Sequence, residues 1–280
     1  MIRIVTDSTC DLPEGQLQAL GVTVVPVNIH FGTEEYHEGE DLSYDDFFRL
    51  VEERHEVPKT SQPSPGRFEQ TYRQLAAEGA TTILSLHVTG KLSGTVQSAT
   101  IAAEKVKDAV DVRVFDTLAG SAGSGFMVLE AVDLLQQGAD ADAVLARWAE
   151  IRDHLRIFFM LDTLKYARMS GRVGAIQSSL AALLQVKPIV VLNQGVLELG
   201  ERVRTRRAAI ERMLELTRAA FGDKPLNVAV VHALAPDAAE SFLAEVQAQF
   251  SCRRTFVARL AASLVAHLGP GTLGIVAYPA

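Results

Sequence analysis

Short apolar runs alternate with stretches of helical spacing along most of the chain, and the pattern predicts a mostly parallel α/β arrangement in the first half. Ile2–Thr6 reads as the first strand, followed by the polar turn Asp7-Ser8-Thr9. Pro13 opens a short helix that Gly21 closes, and Val22–Ile29 reads as a second strand with Pro26 at an edge or bulge. Ser43 is placed to cap a helix through Glu53, because its hydroxyl accepts a free amide of the first turn. The segment 58–65 reads as a loop, with Ser64 as the next cap and Pro65 at the first helical position. Thr82–Leu86 is a buried strand that leads through a glycine-bearing turn into a helix near Thr95. Val112–Phe115 is a further strand, and 120–137 a helix with a small-residue start.

The second half reads differently. After a helix over 140–153, Leu155–Leu161 is an apolar strand, and 169–174 is a glycine-punctuated turn between two helical patterns. Ile189–Leu192 and Val196–Val203 flank Asn193-Gln194-Gly195, a hairpin signature. An arginine-rich helix over 204–221, a strand over 227–231, a helix over 236–250, a short strand over 255–257 and a final strand over 272–278 complete the chain. The hairpin makes this a mixed sheet. Two α/β domains are therefore expected, 1–148 with a mostly parallel sheet and 149–280 with a mixed one.

Composition narrows the class. With 280 residues, 48% of them hydrophobic, the chain can bury one large core or two modest ones. A net charge of −7 and the lack of a long basic stripe argue against a nucleic-acid partner. Two distant cysteines, Cys10 and Cys252, fit a reduced cytoplasmic compartment and supply no zinc site. The start lacks a signal-peptide pattern, and no apolar run approaches the roughly 20 residues of a membrane span.

The segment Gly90-Lys91-Leu92-Ser93-Gly94-Thr95 carries the first candidate chemistry. A Walker loop needs glycine at position 85 and Ser or Thr at 92, where Ser85 and Leu92 stand. A nucleophile elbow around Ser93 needs glycines at 91 and 95, where Lys91 and Thr95 stand. Hydroxyls and amides at a helix start remain, which bind an anion or merely cap the helix. Thr60-Ser61-Gln62-Pro63-Ser64 offers two hydroxyls on a proline-stiffened loop, and Arg168 and Arg172 bracket a glycine turn. His267 precedes a rigid Gly-Pro-Gly turn and is placed to orient a carboxylate or carry a proton. Arg202 and Arg204, with Arg206, Arg207 and Arg212, form either a docking patch or a solvated face. The acidic run from Glu34 to Asp46, Glu38 included, reads as a solvated loop and helix start with no apolar setting to raise a carboxyl pKa. The residues leave three functions open: an anion carrier, a hydrolase using Ser93, or a binding protein for another small anionic metabolite.

Taken in order, Asp7-Ser8-Thr9-Cys10-Asp11-Leu12-Pro13, Thr60-Ser61-Gln62-Pro63-Ser64, Leu92-Ser93-Gly94-Thr95, Ser170-Gly171-Arg172 and His267-Leu268-Gly269-Pro270-Gly271 resemble the DegV family of bacterial fatty-acid-binding proteins across the whole chain. The resemblance implies one long-chain fatty acid held between two α/β domains, with no cofactor. It implies a carboxylate site at Thr60, Ser61, Ser93, Gly94, Thr95 and His267, supported near the mouth by Arg168 and Arg172. The acyl chain is then expected among Ile29, Phe126, Phe158, Phe159, Leu161, Ile176, Leu180 and Leu184. It further implies a carrier rather than an enzyme, presenting the carboxylate to an ATP-dependent fatty acid kinase subunit; the arginine patch is expected to dock that partner at Arg202 and Arg204, with transient membrane contact. Two positions depart from the family pattern. Val96 stands where an aromatic is common, and Lys91 stands where small polar residues are common.

Overall fold

In the computed structural model, residues 1–172 and 186–280 are described, and the expected tunnel positions Ile176, Leu180 and Leu184 lie outside them. The first half is built from β1 (Ile2–Asp7), α1 (Gln16–Ala19), β2 (Thr23–Val25), β3 (Asn28–Phe31), β4 (Glu34–His37), α2 (Tyr44–Arg54), β5 (Lys59–Ser61), α3 (Pro65–Ala77), β6 (Thr82–His87), α4 (Thr95–Lys105) and β7 (Asp111–Asp116). Strands β2-β1-β6-β7 form a four-stranded sheet, parallel throughout. The helix starts follow their side chains: Ser43 accepts from the Asp46 amide and Ser64 from the Arg67 amide.

The expected single strand over 22–29 is two. Pro26 cannot continue the ladder, and the chain turns there from β2 into β3, which belongs to a separate antiparallel sheet of order β4-β3-β5. The loop expected at 58–61 is thus β5, an edge strand that places Ile29 opposite Thr60 and Asn28 opposite Ser61.

The second half contains α5 (Ala122–Gln136), α6 (Ala141–His154), β8 (Arg156–Met160), α7 (Lys165–Ser170), β9 (Lys187–Asn193), β10 (Val196–Val203), α8 (Arg206–Phe221), β11 (Leu226–His232), α9 (Pro236–Gln249), β12 (Cys252–Arg259), α10 (Ala262–Leu268) and β13 (Leu273–Pro279). Its six strands run β10-β9-β8-β13-β11-β12, with only β11 and β12 parallel. Residue 148 lies inside the continuous helix α6, where the buried Trp148 donates to the Met127 carbonyl of α5 at 2.7 Å. Both α5 and α6 pack on β13 of the mixed sheet.

Several hydrogen bonds join the two halves. The β9–β10 hairpin tip reaches the end of β6, where Thr89 donates to the Gly195 carbonyl at 3.0 Å. Gly195 has φ +81°, and a Cβ there would lie 2.4 Å from the Thr89 hydroxyl, so only glycine permits this approach.

Candidate functional site

A cavity of about 330 Å³ lies between the parallel sheet, β5, the β9–β10 hairpin and α10. That is within the roughly 300–1,000 Å³ range of small-ligand pockets. Its polar lining includes Thr9, Thr60, Ser61, Gln62, Thr89, Ser93, Ser121 and Ser263, while Ile157, Phe159, Leu192, Leu197, Leu264 and Leu268 supply apolar wall. Its ionisable lining residues are Lys91, Arg172 and His267; none of the described lining residues is a carboxylate. In a chain with 34 acidic against 27 basic residues, this is a local inversion of charge that favours an anion.

Backbone dipoles act the same way. Helix α4 begins after Gly94 with no side-chain cap, and α5 begins after Ser121, whose side chain does not cap it either. Gly94 and Ser121 both line the cavity, so two helix starts flank it; at one the Thr95 amide leans on Ser93 Oγ at 3.4 Å, and at the other the Gly123 amide bonds the Gly120 carbonyl at 3.1 Å. At Gly94 a Cβ would sit 2.9 Å from the Gln62 side chain, which shows how closely the loop after β5 approaches the start of α4. Ser121 holds φ +54°, a left-handed conformation uncommon without glycine.

The hydroxyls are ordered by one another. Ser93 Oγ lies 2.8 Å from Thr95 Oγ1. Ser61 Oγ is held by His30 Nε2 at 2.8 Å and by Asn28 Nδ2 at 3.3 Å. Thr60 Oγ1 lies 2.8 Å from His267 Nε2. His267 stands in the last turn of α10, just before Gly269-Pro270-Gly271. Burial, aided by the Arg172 charge, lowers its pKa to about 4, so the imidazole is neutral near pH 7. Its Nδ1 is buried and has no hydrogen-bond partner among the described residues.

Thr60, Ser61, Ser93, Gly94, His267, Arg172 and Phe159 therefore come together at one cavity, and Thr95 is buried directly behind Ser93. Arg168 is exposed and outside the lining. Phe158 and Phe159 are neighbours on β8 and point to opposite faces; Phe158 joins the core under α8 while Phe159 faces the cavity. Ile29, Phe126 and Leu161 are core residues away from the lining, with Phe126 stacked against Phe256 and Tyr278. Thr89, Ser121 and Ser263 are isolated hydroxyls that only the fold brings to the cavity, and Thr9 joins them from the Asp7-Ser8-Thr9 turn.

The acidic run differs from its expected solvated state at Glu38. That carboxyl is enclosed between Ser8 and Ser263, and burial raises its pKa despite their hydrogen bonds. A second unforeseen set is Asp7, His87 and Ser85. His87 bonds Asp7 Oδ2 at 3.1 Å and Ser85 Oγ at 2.7 Å, and Ser85 continues to Tyr72. This has the connectivity of a hydrolytic triad, but Ser85 and His87 are fully buried and line no part of the cavity. Asp7 is pulled up by burial, yet bonds from His87, Thr9 and the Val88 amide prevail and hold it below the usual carboxylate value. Its bonds to the Thr9 amide and hydroxyl tie this buried chain to the cavity wall.

Residues 1–280 match the family model described as "Uncharacterised protein, DegV family". The chain is 34% identical over 278 residues to a DegV domain-containing protein of Halalkalibacterium halodurans, covering 99% of this chain and 98% of that one. Among solved structures, a DegV family protein from Thermus thermophilus, described as fatty-acid binding, superposes with a TM-score of 0.92 at 38% identity, covering 100% of this chain and 99% of that one. DegV of Bacillus subtilis, also described as a fatty acid binding protein, superposes with a TM-score of 0.89 at 30% identity, over 100% of this chain and 99% of that one.

Proposed function

This chain belongs to the DegV family, and from that premise we propose that it binds one long-chain fatty acid in the cavity between its two sheets. The observation that carries the reading is a cavity free of described carboxylates, with hydroxyls and two helix starts at its polar side and apolar wall beside them. A carboxylate withdrawn from water needs several donors. Ser93, Thr60, Ser61 and the first amides of α4 supply them, and neutral His267 adds no compensating charge of its own. The acyl chain runs against Phe159, Ile157, Leu192, Leu197, Leu264 and Leu268. Each buried methylene contributes about 0.8 kcal/mol, so eight of them supply about 6 kcal/mol, enough for a Kd of some tens of micromolar before ordering costs and the carboxylate's own bonds are counted.

The chain acts as a carrier, presenting the carboxylate to a separate ATP-dependent kinase subunit. Ser93 has a hydroxyl partner, Thr95, rather than a base, so the hydrolase alternative lacks the activation it requires. Arg202 and Arg204 are exposed and have no ion pair among the described residues, whereas Arg206, Arg207 and Arg212 are engaged by carboxylates. The first two form the docking patch. Mass spectrometry of lipid extracted from purified protein, followed by titration with labelled acids, tests the reading. Binding of a C14–C18 acid is expected, and failure to bind any of them overturns it.

A further inference from the structure

Helix α10 carries four cavity residues, Ser263, Leu264, His267 and Leu268, on only seven residues of helix. A helix so short does not hold its own geometry; its ends must be fixed from outside. Its cap position is Ala261, which has no side chain able to cap.

The missing caps come from the first half of the protein. Asp11 Oδ1 accepts from the Ala261 amide at 2.9 Å. Glu38 Oε1 accepts from the Ser263 amide at 2.8 Å, and Glu38 Oε2 from the Ser263 hydroxyl at 2.6 Å. Each carboxyl is anchored on its own side as well. The Ser121 hydroxyl donates to Asp11 Oδ2 at 2.5 Å, and the Ser8 hydroxyl donates to Glu38 Oε2 at 2.5 Å. The Val27 amide in turn donates to Ser8 Oγ at 2.9 Å. Val27 and Ser121, on the cavity lining, are thus linked to the same partition that starts α10. On the far side, Asp11 and Glu38 line a second cleft of about 850 Å³.

We propose that Asp11 and Glu38 are positioning residues of the anion site: they cap α10 from the opposite half of the protein and so set where Ser263 and His267 stand over the cavity. Ser263 and His267 are one helical turn apart, so a shift at the capped end carries to the imidazole. Thr60 then meets His267 from the other end of the helix. Both ends of α10 are held by the first half, and the cavity lies beside it. Burial raises the pKa of both carboxyls, and an accepting oxygen toward the α10 amides remains in either protonation state.

The test uses Asp11→Ala, Glu38→Ala and Glu38→Gln in the full chain, with His267 imidazole signals assigned by comparison with His267→Gln. Two quantities are read, the NMR shift and pH titration of His267 in ligand-free protein, and the Kd for palmitate. Both alanine variants are expected to move the His267 signals and raise the Kd about tenfold, a change of about 1.4 kcal/mol. Glu38→Gln keeps one oxygen for the Ser263 amide and recovers part of both effects. If an alanine variant does not fold, Ser263→Ala, which removes only the hydroxyl half of the Glu38 cap, is expected to give a smaller shift of the same kind. Folded variants whose His267 signals and titration match wild type overturn the proposal, even if their Tm falls. The affinity arm rests on the fatty-acid reading; the His267 arm does not. Wild type that binds no fatty acid therefore defeats the proposed function while the positioning claim is still decided by the spectra.

Discussion

Thr60 and His267 lie 207 residues apart in sequence and 2.8 Å apart in the structure, hydroxyl to Nε2, and this contact closes the polar end of the cavity. The first residue comes from edge strand β5 of a small antiparallel sheet, the second from the last turn of α10. The two halves of the molecule therefore share a hydrogen bond at the cavity, where the carboxylate site is proposed.

The burial of His267 has a pH signature. In the unfolded chain His267 titrates near its ordinary value of about 6.5, and in the folded chain burial holds it at about 4. The unfolded state binds the proton first as pH falls, so stability is lost between those two values and no further below them. Relative to His267→Gln, wild type is expected to lose up to about 3 kcal/mol between pH 7 and pH 4. Denaturant unfolding of both proteins across that range checks this; parallel curves refute it.

Ser93 is a hydrogen-bond donor in this account. Ser93→Ala removes one charge-assisted bond to the ligand together with the long 3.4 Å bond that Ser93 Oγ accepts from the Thr95 amide, so palmitate affinity is expected to fall about tenfold and Tm only modestly. Calorimetric titration and thermal unfolding of the same samples decide it. A complete loss of an acyl-ester hydrolase activity present in wild type would favour the nucleophile alternative instead.

Phe159 and Phe126 separate cavity wall from core. Phe126→Ala empties a stacked aromatic cluster and is expected to cost about 3–5 kcal/mol with no change in preferred acyl length. Phe159→Ala enlarges the cavity and is expected to shift preference toward longer or branched acids. Competition among C14, C16 and C18 acids measured on both variants reads the difference.

Arg202→Glu and Arg204→Glu leave the cavity untouched. They are expected to spare fatty-acid affinity and to slow phosphorylation of the bound acid by the kinase partner. Unchanged phosphorylation kinetics count against a docking role.

Gly195→Ala forces a Cβ to 2.4 Å from the Thr89 hydroxyl at a backbone conformation with φ +81°. A cost of about 1–3 kcal/mol is expected. Because Leu192 and Leu197 on the same hairpin line the cavity, ligand release is also expected to quicken. Denaturation and stopped-flow displacement measure the two effects.

The strongly patterned elements were legible in the sequence: β1, β6 and β7, the hairpin of β9 and β10, and helices announced by Ser43 and Ser64. Less legible were short elements whose stability comes from neighbours. Strand β5 has three residues and exists through its pairing with β3, and α10 through caps supplied by Asp11 and Glu38. For the same reason Glu38, in a run of acids, read as solvated; nothing local shows that Ser8 and Ser263 enclose it. Among the site residues, Thr60, Ser61, Ser93, Gly94 and His267 stand in segments dense with hydroxyls or glycine, which drew attention to them. Thr89, Ser121 and Ser263 are ordinary hydroxyls until the fold gathers them. Lys91, which departs from the family pattern, lines the cavity with Arg172 and contributes to its positive character.

The central claim is that a fatty acid's carboxylate sits at the Thr60, Ser93 and His267 cluster, and NMR of palmitate labelled with carbon-13 at its carboxyl tests it most directly. The account predicts a distinct bound carboxyl signal with wild type that shifts in both Thr60→Ala and Ser93→Ala. Absence of a bound signal, or a bound signal identical in wild type and both variants, would contradict it.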